Sequence, residues 1–469
     1  MVMLTIADQI IRNDMPDLDA YLAQGGAIDD IDEYGFTFLI ESAIASNLPA
    51  MQLLIQNGAQ VNKQDVTGQT ALHWAVDSNQ LEEAKLLLEA GANPNIHNRG
   101  GQPPLVFPLL REQWAIKQLL YEHGASLSFA QDFINTKLIG HRFEMTGTVD
   151  IINANGAFIE LDYEGFFLEF SLESIRHSFT RFGGHFAFRE LRLAFTELGD
   201  IIHAFFHASQ LIQYQDKRAR KEKFQSDVHA LFHSPFLILP VAYQGHAITF
   251  VKCGPFLAKC DRGENALKEG SVNIYWIGNM SMWTPSFLKA LLYQKQTKLF
   301  VHNKVNDILE LKNIGKIPLS HQKAGNCSWA NVEASVPTAY VLLQLSKLKK
   351  FDDTVFQDII NSGMRLHSEW LKWDKDRALE ECIQSFYESD SARKASKAAI
   401  LGGILFQGCR YPKKDDMQRA EKILKILTLK DYKYVLQSYI DVYCEKRLTV
   451  QGNNLLHILD DLGIDKNNI

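Results

Sequence analysis

A period of 33 residues governs the first quarter of the chain. Glycines recur at that spacing as Gly25, Gly58, Gly91 and Gly124, in the settings QGGAI, NGAQV, AGANP and HGASL. A second series in the same register, Gly35, Gly68 and Gly101, opens the segments GFTFLIESAI, GQTALHWAV and GQPPLVFPLL. Two markers sharing one period define a supersecondary unit that must stack on its neighbours to bury its apolar face. The pairs Leu53-Leu54, Leu87-Leu88 and Leu119-Leu120 stand about one helical turn before the first glycine series, where an inner helix face packs. Each glycine then supplies the positive φ that ends a helix. Every unit therefore reads as turn, helix, turn, helix.

The segment Thr70-Ala71-Leu72-His73 resembles the Thr-Pro-Leu-His box of ankyrin repeats, which opens the first helix of each unit. The expected fold is thus an N-terminal α-solenoid of about four ankyrin repeats over residues 1–135, a scaffold whose job is to hold another protein. Trp74, next to the box, is expected in the stack, whereas Trp114 is either stack or contact surface.

Composition narrows the function classes. The 469 residues are 46 % hydrophobic and 22 % charged, an ordinary globular balance with length for about three domains. A net charge of -6 argues against binding nucleic acid or an anionic membrane through bulk charge. No basic leader precedes a long apolar core and no 18-residue apolar run occurs, so a soluble protein with no membrane partner, monomeric, is expected. The six cysteines, Cys253, Cys260, Cys327, Cys382, Cys409 and Cys444, form no paired framework and are expected as free thiols. Cys253 and Cys260 with His246 follow no zinc spacing. No cofactor or metal is expected.

Beyond the repeats the pattern changes. From Phe143, FEMTGTVDIINANGAFIELDYEGFFLEFSLESI alternates apolar and polar residues and reads as two or three antiparallel strands. A long helix follows over FRELRLAFTELGDIIHAFFHASQLIQYQ and ends in the basic run 216–224, which reads as a solvated helix end or a nuclear-import patch. Strand-like runs PFLILPVAY, GHAITFVKCG, PFLAKCDRG and SVNIYWIG come next, and from about Ser328 the pattern is helical to the end. The expected organisation is an α+β domain over 136–345 and a helical C-terminal region over 346–469.

The segment richest in chemistry is YQGHAITFVKCGPFLAKCDRG. If its hairpin turns about Cys253-Gly254, His246 and Asp261 stand directly opposite one another, with Cβ atoms about 5 Å apart. Asp261 could then accept the Nδ1–H of His246 and leave the other nitrogen as a base, provided the register does not slip by one residue. Asn279 is the alternative third member, and Asp261 could instead pair with Arg262. Some 80 residues on, Cys327 follows Gly325-Asn326 at the head of a helical segment, a position that lowers a thiol pKa. Gln322 could donate its amide to an oxyanion, with the Cys327 N–H as a second donor.

The order His, Asp, Gln, Cys resembles the cysteine-protease clan of the adenovirus-type proteases, the ubiquitin-like-protein proteases and the acetyltransferase effectors of bacterial pathogens. By that resemblance His246 is the base, Asp261 the orienting acid, Gln322 the oxyanion donor and Cys327 the nucleophile of an α+β cysteine-protease-like domain. The likeness covers residues 240–345, and Asn326-Cys327-Ser328 stands where that clan carries Asp-Cys-Gly. Over its full length the chain resembles ankyrin-repeat effectors of the H type, which intracellular bacteria inject through a type IV secretion system. That resemblance implies a host protein as partner and action in the host cytoplasm or nucleus. The expected function is acyl transfer, by peptide or isopeptide hydrolysis or by transacylation, on something the array recruits; the rival is a non-catalytic interaction scaffold with a degenerate protease-like fold.

Overall fold

A computed structural model describes residues 5–192, 195–213, 233–243, 245–294, 296–322 and 325–466. The basic run 216–224 lies outside the described residues. The chain forms two compact units, each assembled from separate stretches. One comprises Met1–Leu138, Thr148–Asp162 and Ser389–Ala399; the other comprises Ile139–Gly147, Tyr163–Glu388 and Ile400–Ile469.

In the first unit helix pairs follow the glycine period: Phe38–Ile44 with Leu48–Gln56, Ala71–Asp77 with Leu81–Glu89, and Val106–Leu110 with Trp114–Glu122. All seven periodic glycines have φ between 79° and 92°. At Gly68 the need for glycine is doubled, because a Cβ there would lie 2.7 Å from the Arg99 nitrogen. Side chains at the same period stitch repeat to repeat. Asp29, Asn62 and Asn95 accept the backbone N–H of Gln60, Asn93 and Ser126, at 2.9, 2.8 and 2.7 Å.

His73 closes the Thr-Ala-Leu-His box. The Thr70 N–H lies 3.1 Å from His73 Nδ1, and Nε2 lies 3.3 Å from the Gln102 carbonyl in the next repeat. That arrangement selects a neutral ring with its proton on Nε2. Burial pushes the His73 pKa down to about 4. Trp74 is half-buried against the stack and donates its indole N–H to Asp65 Oδ2 at 3.0 Å. Thirty-three residues earlier the equivalent pair is Asp32 and Glu41. Burial, and the hydrogen bond and charge of Asp32, push the Glu41 pKa up to about 8. Trp114 is 70 % exposed, with Lys117 Nζ 4.6 Å from the centre of its ring.

Strands β1 (Thr148–Ile152) and β2 (Phe158–Asp162) form an antiparallel hairpin. Their Ile151 and Leu161 join the array core with Phe129 and Phe133. Within the same unit Arg393 and Lys397 both bond the buried Asp132 carboxylate, at 2.7 Å each. The further strand allowed by FFLEFSLESI does not form. Its local alternation is overridden by Leu172, Ile175, Phe179 and Phe182, buried at steps of three and four along the helix Leu168–Gly184.

The second unit is built on a five-stranded antiparallel sheet in sequential order: β3 (Phe236–Tyr243), β4 (His246–Cys253), β5 (Phe256–Cys260), β6 (Val272–Trp276) and β7 (Lys312–Ile317). Pro240 is tolerated because β3 is an edge strand. β7, whose KNIGKI has no clear alternation, was not expected. The helix Cys327–Ser346 has no distinct polar side and is buried along most of its length, with Asn331 and Glu333 among its buried residues. It runs beside β4: Asn331 donates to the Ala247 carbonyl at 2.6 Å near one end, and Ser346 bonds Cys253 at the other. From there the described chain is helical, beginning with the long helix Asp353–Glu388. No helix among the described residues is long and apolar enough to cross a membrane.

Candidate active site

The hairpin that carries His246 turns one residue later than expected. Cys253 pairs with Phe256 and Thr249 with Cys260, so the turn is Gly254-Pro255, with Gly254 at φ 53°. Asp261, one residue past the last pair, is therefore displaced by two places from direct opposition to His246. Because side chains alternate with a period of two, such a displacement keeps both on one face as diagonal neighbours. His246 Nε2 and Asp261 Oδ1 are 3.1 Å apart. The nitrogen on the carboxylate is thus Nε2, not the expected Nδ1, which leaves Nδ1 as the nitrogen for the thiol.

Cys327 is the first residue of its helix, with Asn326 as N-cap. The thiol hydrogen-bonds the His246 imidazole and takes backbone hydrogen bonds from Ala247 and Ser328. Burial alone would raise its pKa, but these bonds and the imidazolium charge outweigh it, and the pKa falls below the ordinary cysteine value. For His246 burial again opposes the charge. The hydrogen bonds to Asp261 and Cys327 prevail and lift the imidazole to about 9. Asp261 would be raised by burial, yet the bonds from His246 and the Gly263 N–H hold it near about 2. These directions agree: at neutral pH His246 is an imidazolium and Asp261 a carboxylate, and both the hydrogen bonds and the charge of His246 favour the thiolate form of Cys327. Burial raises Cys253, Cys260, Cys409 and Cys444 instead. Cys260 is fully buried, donates to Thr338 Oγ1 at 3.5 Å, and is pushed up to about 12.

Arg262 turns away from Asp261. Its guanidinium bonds Glu333 and Glu144, both at 3.1 Å, and the Ser320 carbonyl at 2.8 Å, while its N–H donates to Asn331 Oδ1 at 2.6 Å. This buried network ties the end of β5 to the Cys327 helix and fixes the spacing of Asp261 and Cys327. Gln322 is buried and donates its backbone N–H to the Arg262 carbonyl at 2.9 Å; its side-chain Oε1 has no partner among the described residues. Asn279 is not in the constellation. It follows β6 at the Trp276 end, which pairs with Phe256, the end of β5 opposite Asp261. There its amide reaches Glu310. Among the described residues no group of His, Cys, Asp or Glu is arranged to hold a metal ion.

Three neighbours escaped the sequence reading: Tyr243, Asn265 and His302. Asn265 Nδ2 donates to Asp261 Oδ2 at 3.2 Å, and His302 Nε2 lies 2.7 Å from the Tyr243 hydroxyl. Tyr243 was accessible through its pairing with His246 across the β3–β4 turn. His302 arrives from a distant segment without periodicity or motif.

A family model of ankyrin repeats matches three copies, over residues 9–98 and 47–129. No curated protein matches the chain. A solved structure, that of the Legionella effector AnkH, is 52 % identical with a TM-score of 0.87, covering 99 % of this chain and 98 % of its own. Identity at that level over essentially both whole chains places this protein, array, sheet and C-terminal helices together, in the AnkH family.

Proposed function

We propose that this chain is an effector that acts inside a host cell, where its ankyrin array holds a host protein and Cys327 performs acyl transfer on that protein or on a neighbour. The observation that carries the reading is the Cys327–His246–Asp261 row, a thiol at a helix head with lowered pKa against an imidazole that a carboxylate orients. The name of the relative supports the effector part, and the repeats support the partner.

In the proposed reaction the Cys327 thiolate attacks a carbonyl carbon and forms the C–S bond. The leaving amine departs with the proton held on His246. The base then takes a proton from water or an acceptor amine, which attacks the thioester and frees the thiolate. The Cys327 N–H and the Gln322 amide stabilise the oxyanion. The protease-like fold of residues 240–345, and delivery by type IV secretion, belong to the same proposal.

The rival is a scaffold that works by binding alone. It is favoured by the oxyanion side, where the buried carboxamide oxygen of Gln322 has no donor among the described residues and Asn326 stands in place of an acid. Thiol reactivity against pH separates the two. Cys327 alkylation by iodoacetamide, followed by mass spectrometry, is expected to be fast well below the ordinary thiol pKa of about 8.5. In His246→Ala it should slow by about 100-fold at pH 6. A Cys327 that reacts only near its ordinary pKa, unchanged by His246→Ala, leaves the scaffold.

A further inference from the structure

Asp261 has two faces, and only one belongs to His246. Its Oδ1 takes His246 Nε2 at 3.1 Å and the Gly263 N–H at 3.0 Å. Its Oδ2 faces a second histidine, with His302 Nε2 at 3.6 Å, and accepts from Asn265 Nδ2 at 3.2 Å. The same Asn265 nitrogen lies 3.2 Å from His302 Nε2, so one amide group spans the gap between carboxylate and ring. The Tyr243 hydroxyl reaches His302 Nε2 at 2.7 Å, while the Tyr243 ring meets the His246 ring edge-on at 5.4 Å between centres. His302 is thus linked to the dyad twice, through Asn265 to the carboxylate and through the tyrosine. It sits in a π-helical turn, Phe300–Lys304, a local irregularity of the kind found often at functional positions.

Two histidines on one carboxylate compete for its charge unless something separates them. The groups facing His302 do so. Lys259 on β5 places its Nζ 3.4 Å from the His302 carbonyl, and Lys298 stands nearby in partnership with Glu264. Burial, then Lys259, push His302 down to about 4, against the pull of Asp261. His246, partnered by Cys327, goes the other way. A neutral His302 hydrogen-bonds Tyr243 at Nε2 and stands 3.6 Å from Oδ2 without drawing the carboxylate's charge from His246, and Asn265, in reach of both, makes the hydrogen bond to Oδ2.

We propose that Tyr243, Asn265 and His302 are a positioning set for this site, with His302 as its anchor, holding Asp261 so that one oxygen stays on His246 and the imidazole stays on Cys327. The inference rests on the cysteine–histidine reading above and deepens it. None of the three touches Cys327 in this role; they act through Asp261 and through the packing of Tyr243 on His246.

The test is the pH profile of Cys327 alkylation by iodoacetamide in the full chain, for the unmodified protein, His302→Phe, His302→Gln and Tyr243→Phe. His302→Phe is expected to slow alkylation at pH 6 by about tenfold and to move the profile up by about one pH unit. His302→Gln, which keeps hydrogen-bonding groups in place, should recover most of the rate. Tyr243→Phe, which deletes one hydroxyl, should shift the profile the same way by about threefold, and it carries the test if His302→Phe does not fold. A low-pH profile in the unmodified protein that a folded His302→Phe or Tyr243→Phe leaves unchanged overturns this inference alone. An unmodified profile centred near about 8.5 overturns the underlying reading, and this inference with it.

Discussion

His73 in the array and His246 in the sheet unit both bond through their two ring nitrogens, yet their pKa values lie on opposite sides of the ordinary histidine value. His73 is walled in by Thr70 and a peptide carbonyl and hydrogen-bonds no carboxylate, so burial outweighs the Gln102 carbonyl and the charge of Asp65 and the ring stays neutral down to about 4. His246 is also partly buried, but Asp261 lies on one nitrogen and the Cys327 thiol beside the other, and the ring stays charged up to about 9. The same residue type is a strut in one place and an acid–base group in the other. Two things separate them: His73 is buried while His246 is half-buried, and only His246 has a carboxylate and a thiol as partners.

The linkage signs follow from those shifts. His73, lowered, gives stability that is present above the unfolded histidine value of about 6.5 and lost as pH falls through about 4. His246, raised, gives stability that is full below about 6.5 and lost as pH rises through about 9. The array should therefore weaken towards acid through His73 and the site towards alkali through His246.

Three substitutions sharpen the contrast. The largest effect is expected from Asp261→Asn, which takes away the carboxylate that sets His246 apart. Alkylation of Cys327 at pH 6 should fall by roughly two orders of magnitude, the factor that about two units of lost imidazole pKa carry; a rate within threefold of the unmodified protein would remove Asp261 from the site. Next is His73→Ala. The lost ring leaves Thr70 and Gln102 without their bond and a hole between repeats, so denaturant unfolding of the array should show a loss of about 2 kcal/mol at pH 7. The Cys327 alkylation profile should not move.

The smallest effect is expected at Glu41, the acid that stands where the next repeat has Trp74. Its raised pKa means stability that is full below the ordinary glutamate value and lost as pH rises through about 8. Glu41→Gln should make the array more stable by about 1–2 kcal/mol at pH 8 and indifferent to the substitution at pH 4. Equal effects at both pH values would mean that Asp32 and Glu41 do not share a proton.

How much was readable in advance follows the range of the interactions. The array was legible because its contacts recur locally: Gly58, Gly91 and the Thr70-His73 box each mark themselves in sequence, and the asparagine ladder repeats their period. His246 and Asp261 were legible only as a pair on one hairpin, and the turn was placed one residue early. The two-place displacement did no damage because strands alternate with a period of two. Which nitrogen meets the carboxylate was not legible, since ring orientation is set by Tyr243 and Cys327 from other elements. His302 and the Arg262–Glu333 network were invisible for the same reason: their partners lie far away in sequence and no local pattern announces them. FFLEFSLESI misled because four alternating residues carry less weight than the helical spacing of the apolar residues beyond them.

The most direct test of this account is the titration of His246 itself, by nitrogen-15 NMR of selectively labelled histidine, with His73 as internal contrast and His246→Ala and His73→Ala spectra for assignment. The expected result is a His246 ring that stays doubly protonated to about pH 9 while His73 stays neutral to about pH 4. A His246 that titrates near the ordinary value of about 6.5 would contradict the charged cysteine–histidine–aspartate row and with it the enzymatic reading.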